Sequence, residues 1–318
     1  MGCLTFETSL DAFSGTSTIS HILKSMGKIT YSNDILKFNY YISKALIENN
    51  QEQITEEDIK KVLTKKNNFI YNNFIEKTFE DIYFLKEENI WLDIVIQNIN
   101  LIENEYKKAM LLWALYQSCL SKRPYNLFHR KNLHLRTNEV KRNFGNKTTW
   151  DKSFEEHFLF FIKEINKAIF NNKKDNKSYS KDILELDLKA DLVYLDPPYI
   201  PKNGSLIYYR DFYHFLEGLS DYDNWEIKLD LNSKNKKMIH NYNIWEDKKN
   251  IINGFEQIIE KFKDSIFVIS YRDDGIPEIK DIVSILEKYN KKIKIEKIDY
   301  KYVLSNKKDL KEVLIIAE

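Results

Sequence analysis

The apolar residues of this chain change rhythm twice, and the changes divide it into three stretches. In the first, residues 4–10 read as a short strand. Ile19, Ile22, Leu23 and Met26 then recur at helical spacing, Gly27 is placed to end that helix, and Lys28 to Ile35 read as a second strand. From about Phe38 to Asn176 the alternation of strand and helix stops. Apolar positions recur at helical intervals over 39–48, 56–64, 68–86, 90–99 and 105–121, and again over 153–171. The clearest helix, Glu105 to Leu120, carries Ala109, Leu112, Trp113, Tyr116 and Leu120 on one face, a stripe explained by core packing. After a polar, basic loop from Asn171 to Ser180, strand rhythm returns at Asp182 to Leu186 and Asp191 to Leu195. A helix running through Leu219 and a polar, poorly patterned stretch at 226–250 come next. A helix over 251–262, a strand from Ser265 to Tyr271 and a helix over 278–289 follow. Two last strands, Lys292 to Tyr300 and Lys311 to Ala317, are close enough through Leu304 to Asp309 to pair antiparallel. The pattern predicts an α/β domain made of residues 1–37 and 177–318, interrupted by a mostly helical insertion over 38–176.

Bulk properties narrow this picture. A chain of 318 residues can bury a full core, and its 20 Tyr and 19 Phe beside 8 Gly and 5 Pro argue against long disordered linkers. The net charge of +1 means that any nucleic-acid surface must be a local patch. The cysteines, Cys3 and Cys119, show neither metal-ligand spacing nor a disulfide framework, so no metal is expected and a cytoplasmic protein is. No stretch approaches the apolar length needed to span a membrane, and the start lacks the pattern of a signal peptide.

Two places carry candidate chemistry. The first strand runs into Asp11-Ala12-Phe13-Ser14-Gly15-Thr16-Ser17-Thr18, and the second ends at Asp34-Ile35. A carboxylate roughly twenty residues beyond such a turn is where nucleotide-binding α/β proteins hold ribose hydroxyls. With one Gly in the turn, the dinucleotide fingerprint is absent, and a nucleoside ligand without phosphates, such as S-adenosylmethionine, fits better. A Rossmann-like enzyme with an incidental Asp34 remains the alternative. The second place is Asp196-Pro197-Pro198-Tyr199, directly after the apolar run Leu192 to Leu195. A carboxylate and a carbonyl stiffened by proline can both accept hydrogen bonds from one exocyclic amino group, and Tyr199 offers a face for a flat ring. This suits nucleophilic attack by an amino nitrogen of a base; the alternative is a plain strand-ending turn.

Between the two places lies a basic, aromatic stretch. Lys122, Arg123, Arg130, Lys131, Arg136, Lys141, Arg142, Lys147 and Lys152 stand against only Glu139 and Asp151, with Tyr125, Phe128, His129, His134, Phe144 and Trp150 interleaved. Such a mixture suits phosphate contact and base stacking, and the four arginines are candidate base readers. A second cluster, Tyr208 to His214 with Tyr208 and Arg210, either closes over a substrate or is the packed start of the following helix.

Taken in order, the Asp11-x-Phe13-x-Gly15-Thr16 turn, the Asn33-Asp34-Ile35 strand end, the Asp196-Pro197-Pro198-Tyr199 tetrapeptide and the closing strand pair resemble the D12-class adenine-specific DNA methyltransferases of the α-group. The runs Lys122 to Arg130 and Phe144 to Trp150 are similar to stretches of one branch of that family. The resemblance implies a Rossmann-like methyltransferase sheet, mostly parallel with an antiparallel C-terminal strand, and an insertion that recognises double-stranded DNA. It implies S-adenosylmethionine held by Asp11, Phe13, Ser14, Gly15, Asp34, Ile35, Asp182 and Ile183, and a flipped adenine methylated at Asp196, Pro197, Pro198 and Tyr199. A restriction–modification system with a cognate endonuclease is the implied setting. In the family a segment with a Gly- and Lys-containing motif precedes the first turn, whereas only Met1 to Leu10 stand before Asp11. The expectation from that departure is a truncated chain or a second polypeptide that supplies the piece. The alternatives are a catalytically silent, partner-dependent recognition subunit, or an amino-methyltransferase acting on cytosine N4.

Overall fold

A computed structural model describes residues 4–138, 147–202, 208–299 and 311–318. The chain forms two compact units. One comprises residues 1–35, 172–208 and 241–318, and the other residues 36–171 and 209–240.

The first unit is built on a sheet of β1 (Thr8–Asp11), β2 (Ile29–Asn33), β3 (Lys177–Tyr179), β4 (Leu192–Leu195), β5 (Ile266–Arg272), β6 (Ile293–Asp299) and β7 (Lys311–Ala317). Their order across the sheet is β3-β2-β1-β4-β5-β7-β6. The first five pair in parallel, and β7 runs antiparallel between β5 and β6. β4 is buried along its whole length, as expected of a central parallel strand covered on both faces. Leu10, Val193, Leu195, Phe267 and Ile269 meet Phe255, Ile258 and Ile259 of one covering helix (Ile251–Lys261) and Ile282 and Leu286 of another (Ile279–Glu287). On the other face Leu192, Tyr194 and Val268 pack with Leu23 of α1 (Thr18–Ser25). Gly27 closes α1 with φ +77, a conformation that favours glycine. The order of the strands reverses between β1 and β4, so a crevice opens at their carboxyl ends, the place where open α/β sheets bind ligands.

The second unit is helical. Its principal helices are Lys37–Ser43, Glu56–Leu63, Lys86–Asn100, Glu105–Ser121, Phe154–Ala168 and Tyr209–Leu219. Side-chain caps fix several of the starts. Thr55 with Asp58 and Ser153 with Glu156 form capping boxes, and Asn104 accepts from the Tyr106 and Lys107 N–H groups.

The structure departs from the sequence reading in three places. The strand expected at Asp182 to Leu186 is a single 3-10 turn (Ile183–Glu185), because the Asp182 carboxylate accepts the Leu184 N–H and turns the chain. The strand lies earlier, at Lys177–Tyr179, within the segment read as a loop. As the terminal strand it pairs only with β2, so its half-buried residues need no continuous apolar run. Of the helix expected over 68–86 only Phe74–Thr78 forms before Lys86. The Asp93 carboxylate accepts the Ile75 and Glu76 N–H groups there, while Gln97 and Asn98 hold Asn72 and Tyr71. Finally, residues 209–240 belong to the helical unit and not to the sheet. Phe215, Leu216, Leu219, Tyr222, Trp225, Leu229 and Met238 are part of its core, and the helix from Tyr209 is thus a packed element. Trp225 lies against Gly218 so closely that a Cβ at 218 would stand 1.8 Å from the indole.

Candidate active site

Four carboxylates line the carboxyl edge of the sheet. Asp34 follows β2, Asp11 ends β1, Asp196 follows β4, and Glu312 lies on β7 opposite Arg272 at the end of β5. Short strands and immediate turns put them there. Asp11 pairs with Tyr194, two residues before Asp196.

The first turn is held from both sides. Ala12 N–H donates to the Tyr194 carbonyl at 3.0 Å and Ser14 N–H to the Asn33 carbonyl at 2.9 Å. Gly15 has φ +49, and its N–H donates to Asp34 Oδ2 at 2.9 Å. Nothing lies within 4 Å of where a Gly15 Cβ would be, so a ligand can approach the backbone on that side. Asn33 joins the turn to the segment before Asp182: its Nδ2 donates to the Ala12 carbonyl at 3.3 Å and the Lys181 carbonyl at 3.1 Å, while its Oδ1 accepts the Lys181 N–H. Phe13 meets the edge of Trp245 at 4.9 Å between centroids. Among the expected cofactor residues Ile183 is buried in the core and Ile35 is exposed.

Asp11 is fully enclosed. Its Oδ2 accepts from Ser20 Oγ at 2.6 Å and Ser20 N–H at 3.1 Å, which fixes the start of α1, while Oδ1 has no hydrogen-bond partner among the described residues. Burial pushes its pKa up to about 7, against the two Ser20 bonds that lower it. Folding therefore favours the protonated acid. This contribution to stability is fully present below about pH 4 and is lost as pH rises through about 7. Denaturant unfolding of the ligand-free chain should show that decline, and Asp11→Asn should reduce it without abolishing it, because the raised carboxyl of Asp196 adds a slope of the same sign. Asp93 in the helical unit, raised by burial to about 6, would retain a smaller slope of the same sign.

The tetrapeptide forms a braced loop. Ile200 and Pro201 pair antiparallel with Ile276 and Gly275, and Lys202 N–H donates to the Asp274 carbonyl. A Cβ at Gly275 would come within 2.6 Å of the Tyr271 ring, so the brace requires glycine. The Arg272 guanidinium stands 4.5 Å from the centroid of the Tyr199 ring and is forked onto Asp274 by two bonds of 2.9 Å. A base stacking on Tyr199 would take the opposite face. Pro197 is buried and Pro198 half-buried. Asp196 is exposed at one edge and surrounded by protein elsewhere. That enclosure, then Glu312, then Asp11, raises its carboxyl above the ordinary carboxylate range, while water at the exposed edge opposes the rise. Glu312 is itself oriented by Ser270, whose Oγ donates to it at 2.6 Å. Arg272 and Glu312 were given no role by the sequence, because only strand pairing shows that they reach the edge occupied by Asp196 and Asp11.

The basic stretch separates into two populations. Lys122, Arg123 and Arg136 were expected at a nucleic-acid surface, yet all three are buried. Arg136 forks onto Glu88 with bonds of 2.9 and 2.7 Å, and Lys122 pairs with the same carboxylate while donating to the Trp150 and Lys152 carbonyls. Arg123 donates to the carbonyls of Leu127, Lys131 and Arg130 at 3.1, 2.8 and 2.6 Å, with its guanidinium over the Tyr83 ring. Buried cations need such partners, and these three hold the loop from inside. Arg130 and Lys131 are exposed and form no ion pair among the described residues; Lys147 is exposed but paired with Asp151. Tyr208 and Arg210 are partly exposed, and Lys141 and Arg142 lie outside the described residues.

A mostly parallel sheet with an antiparallel strand inserted beside β5, a single-glycine turn after β1 and a proline-stiffened acid after β4 define a Rossmann-like methyltransferase. Comparison with known proteins gives the family. The family model described as "D12 class N6 adenine-specific DNA methyltransferase" matches residues 5–285, and the chain belongs to this family of adenine-specific DNA methyltransferases. It is 31% identical to the Type II methyltransferase M2.HphI of Haemophilus parahaemolyticus, over 98% of this chain and 90% of that protein. It is 25% identical to the modification methylase StsI of Streptococcus sanguinis and 27% identical to the Type II methyltransferase M.FokI of Planomicrobium okeanokoites. Each of these alignments covers 96% of this chain but only 46% and 47% of those longer proteins. No helix among the described residues is long and apolar enough to cross a membrane.

Proposed function

We propose that the chain is the modification enzyme of a type II restriction–modification system, methylating the amino group of one adenine within a short double-stranded DNA site. The observation that supports this most is the adjacency, on neighbouring parallel strands, of the Gly15 turn and the Asp196-Pro197-Pro198-Tyr199 loop. S-adenosylmethionine fits the first of these. The open side of Gly15, the buried Asp11 Oδ1 with no partner among the described residues and the acid Asp34 suit a polar nucleoside, and Phe13, Ser14, Ile35, Asp182 and Ile183 complete the expected wall. When bound, it supplies a methyl group activated by a sulfonium.

The chain's own residues act on the acceptor. Asp196 and the Pro197 carbonyl accept hydrogen bonds from the adenine amino group, aim its lone pair at the methyl and stabilise positive charge as it grows on nitrogen. Tyr199 stacks on the base, which must leave the duplex to reach this loop. Arg272 keeps the ring upright from its other face. The exposed basic residues of the helical unit carry the DNA, and a cognate endonuclease is the expected companion in the cytoplasm. Expression in a methylation-free host followed by modification-sensitive sequencing of the plasmid should show methyladenine in one recurring motif. A plasmid without new methyladenine would count against the reading.

A further inference from the structure

We propose that the hairpin at 228–239, which no motif marks, is a second DNA-contacting element mounted on the basic loop at 123–138. This rests on the reading of that loop as a DNA surface.

The hairpin follows the catalytic tetrapeptide in sequence but packs in the helical unit. Leu229 and Met238 form an antiparallel bridge and are buried. Asp230 N–H donates to the Lys237 carbonyl and Ile239 N–H to the Lys228 carbonyl, both at 2.8 Å. With the ladder pointing those two side chains inward, Asn232 and Lys234 of the tip and the flanking Leu231 and Ile239 are exposed, the latter two by 58% and 53%, while Ser233, Asn235 and Lys236 are half-buried. Its charges are unevenly committed. Lys228 pairs with Asp221, and Lys237 with Asp211 at 2.7 Å. Lys236 Nζ donates to the Leu231 carbonyl, and neither it nor exposed Lys234 has an ion pair among the described residues. The acid within the hairpin itself is Asp230, whose carboxylate is turned onto the Asn232 N–H, and the acids Asp221 and Asp211 beside it are taken up by Lys228 and Lys237. Two cations, the Asn232 amide and the exposed Leu231 side chain therefore stand at or beside the tip, with exposed Ile239 flanking it.

What gives this tip a partner is where it is fastened. Asn235 Nδ2 donates to the Phe128 carbonyl at 3.2 Å. The Tyr83 hydroxyl stands 2.7 Å from that same carbonyl, 2.8 Å from the Asn235 carbonyl and 2.7 Å from His214 Nε2. Arg123 lies over Tyr83 and grips the carbonyls of Leu127, Arg130 and Lys131. One buried node thus fixes both the loop that exposes Arg130 and Lys131 and the hairpin that carries exposed Lys234 and half-buried Lys236. With both cationic pairs mounted on one node, a single polyanion is the partner that would use both, and the phosphate backbone of DNA has the matching chemistry.

The test uses the full chain and a short duplex of mixed sequence, with binding measured across a range of salt. Lys234→Ala with Lys236→Ala should weaken binding about tenfold near physiological salt and reduce the salt slope by about 2, one for each phosphate no longer neutralised. Lys234 is exposed and half-buried Lys236 makes one bond to the Leu231 carbonyl, so thermal melting should stay close to that of the parent. Unchanged affinity and slope in this variant, beside weakened binding by Arg130→Ala with Lys131→Ala, would overturn the hairpin's role alone. A parent protein without salt-dependent binding would overturn the DNA reading of the whole surface.

Discussion

Asp196→Ala should reduce methyl transfer by at least about 10²–10³-fold, the scale expected when a preorganised electrostatic partner of the transition state is removed. Labelled-methyl incorporation into a cognate duplex measures it, with retention of the same duplex measured in parallel. Retention should stay close to that of the parent, because Asp196 belongs to the sheet unit while the exposed basic residues lie in the helical unit. Asp196→Asn keeps one oxygen acceptor but loses the charge, and should fall between the two. The pH profile gives a second reading. The neutral acid can still accept from the amino group, but only the ionised form offsets positive charge on nitrogen, so activity should rise with pH through the pKa of Asp196. Enclosure by protein, Glu312 and Asp11 hold that pKa above the ordinary carboxylate range. A variant that methylates like the parent would remove Asp196 from the mechanism.

Arg123→Ala should destabilise the helical unit by about 3–5 kcal/mol, a loss on the scale of breaking a buried hydrogen-bond network and emptying the volume it fills. Three carbonyls, those of Leu127, Arg130 and Lys131, would lose their donor in a dry site, and the Tyr83 and Phe128 rings would face the vacated volume. Arg123→Lys restores neither the fork nor the stacked plane and should recover little. Thermal unfolding followed by circular dichroism should show a midpoint lower by roughly 10 °C. Arg130→Ala supplies the contrast: its side chain is exposed, so stability should hold while DNA affinity falls. If Arg123→Ala instead kept its stability and lost only DNA binding, the residue would be a reader and not an internal clamp.

That contrast shows where a linear reading stops. The stretch from Ser121 to Lys152 is basic and aromatic whichever way its side chains point, and charge counting treats Arg123 and Arg130 alike. Burial separates them, and burial here follows from partners distant in sequence: Glu88 for Lys122 and Arg136, and Tyr83 for Arg123. The boundary of the helical unit was hidden for a similar reason. Residues 209–240 follow the catalytic tetrapeptide, and nothing in their order shows that Phe215 and Trp225 fill a core begun at Leu36.

By itself the sequence determined the α/β class, the two closing antiparallel strands, the turn with Gly15, the acid Asp34 and the Asp196-Pro197-Pro198-Tyr199 loop. Each of these is local: apolar period sets strand or helix, glycine permits a positive φ, and proline fixes a turn. Tertiary structure alone decided that Glu312, more than a hundred residues beyond Asp196, shares its sheet edge, and that Arg272 covers one face of Tyr199. It also decided which cations face water. Those outcomes depend on strand order and on the partners a side chain meets across the fold, and neither is encoded in any short window of the chain.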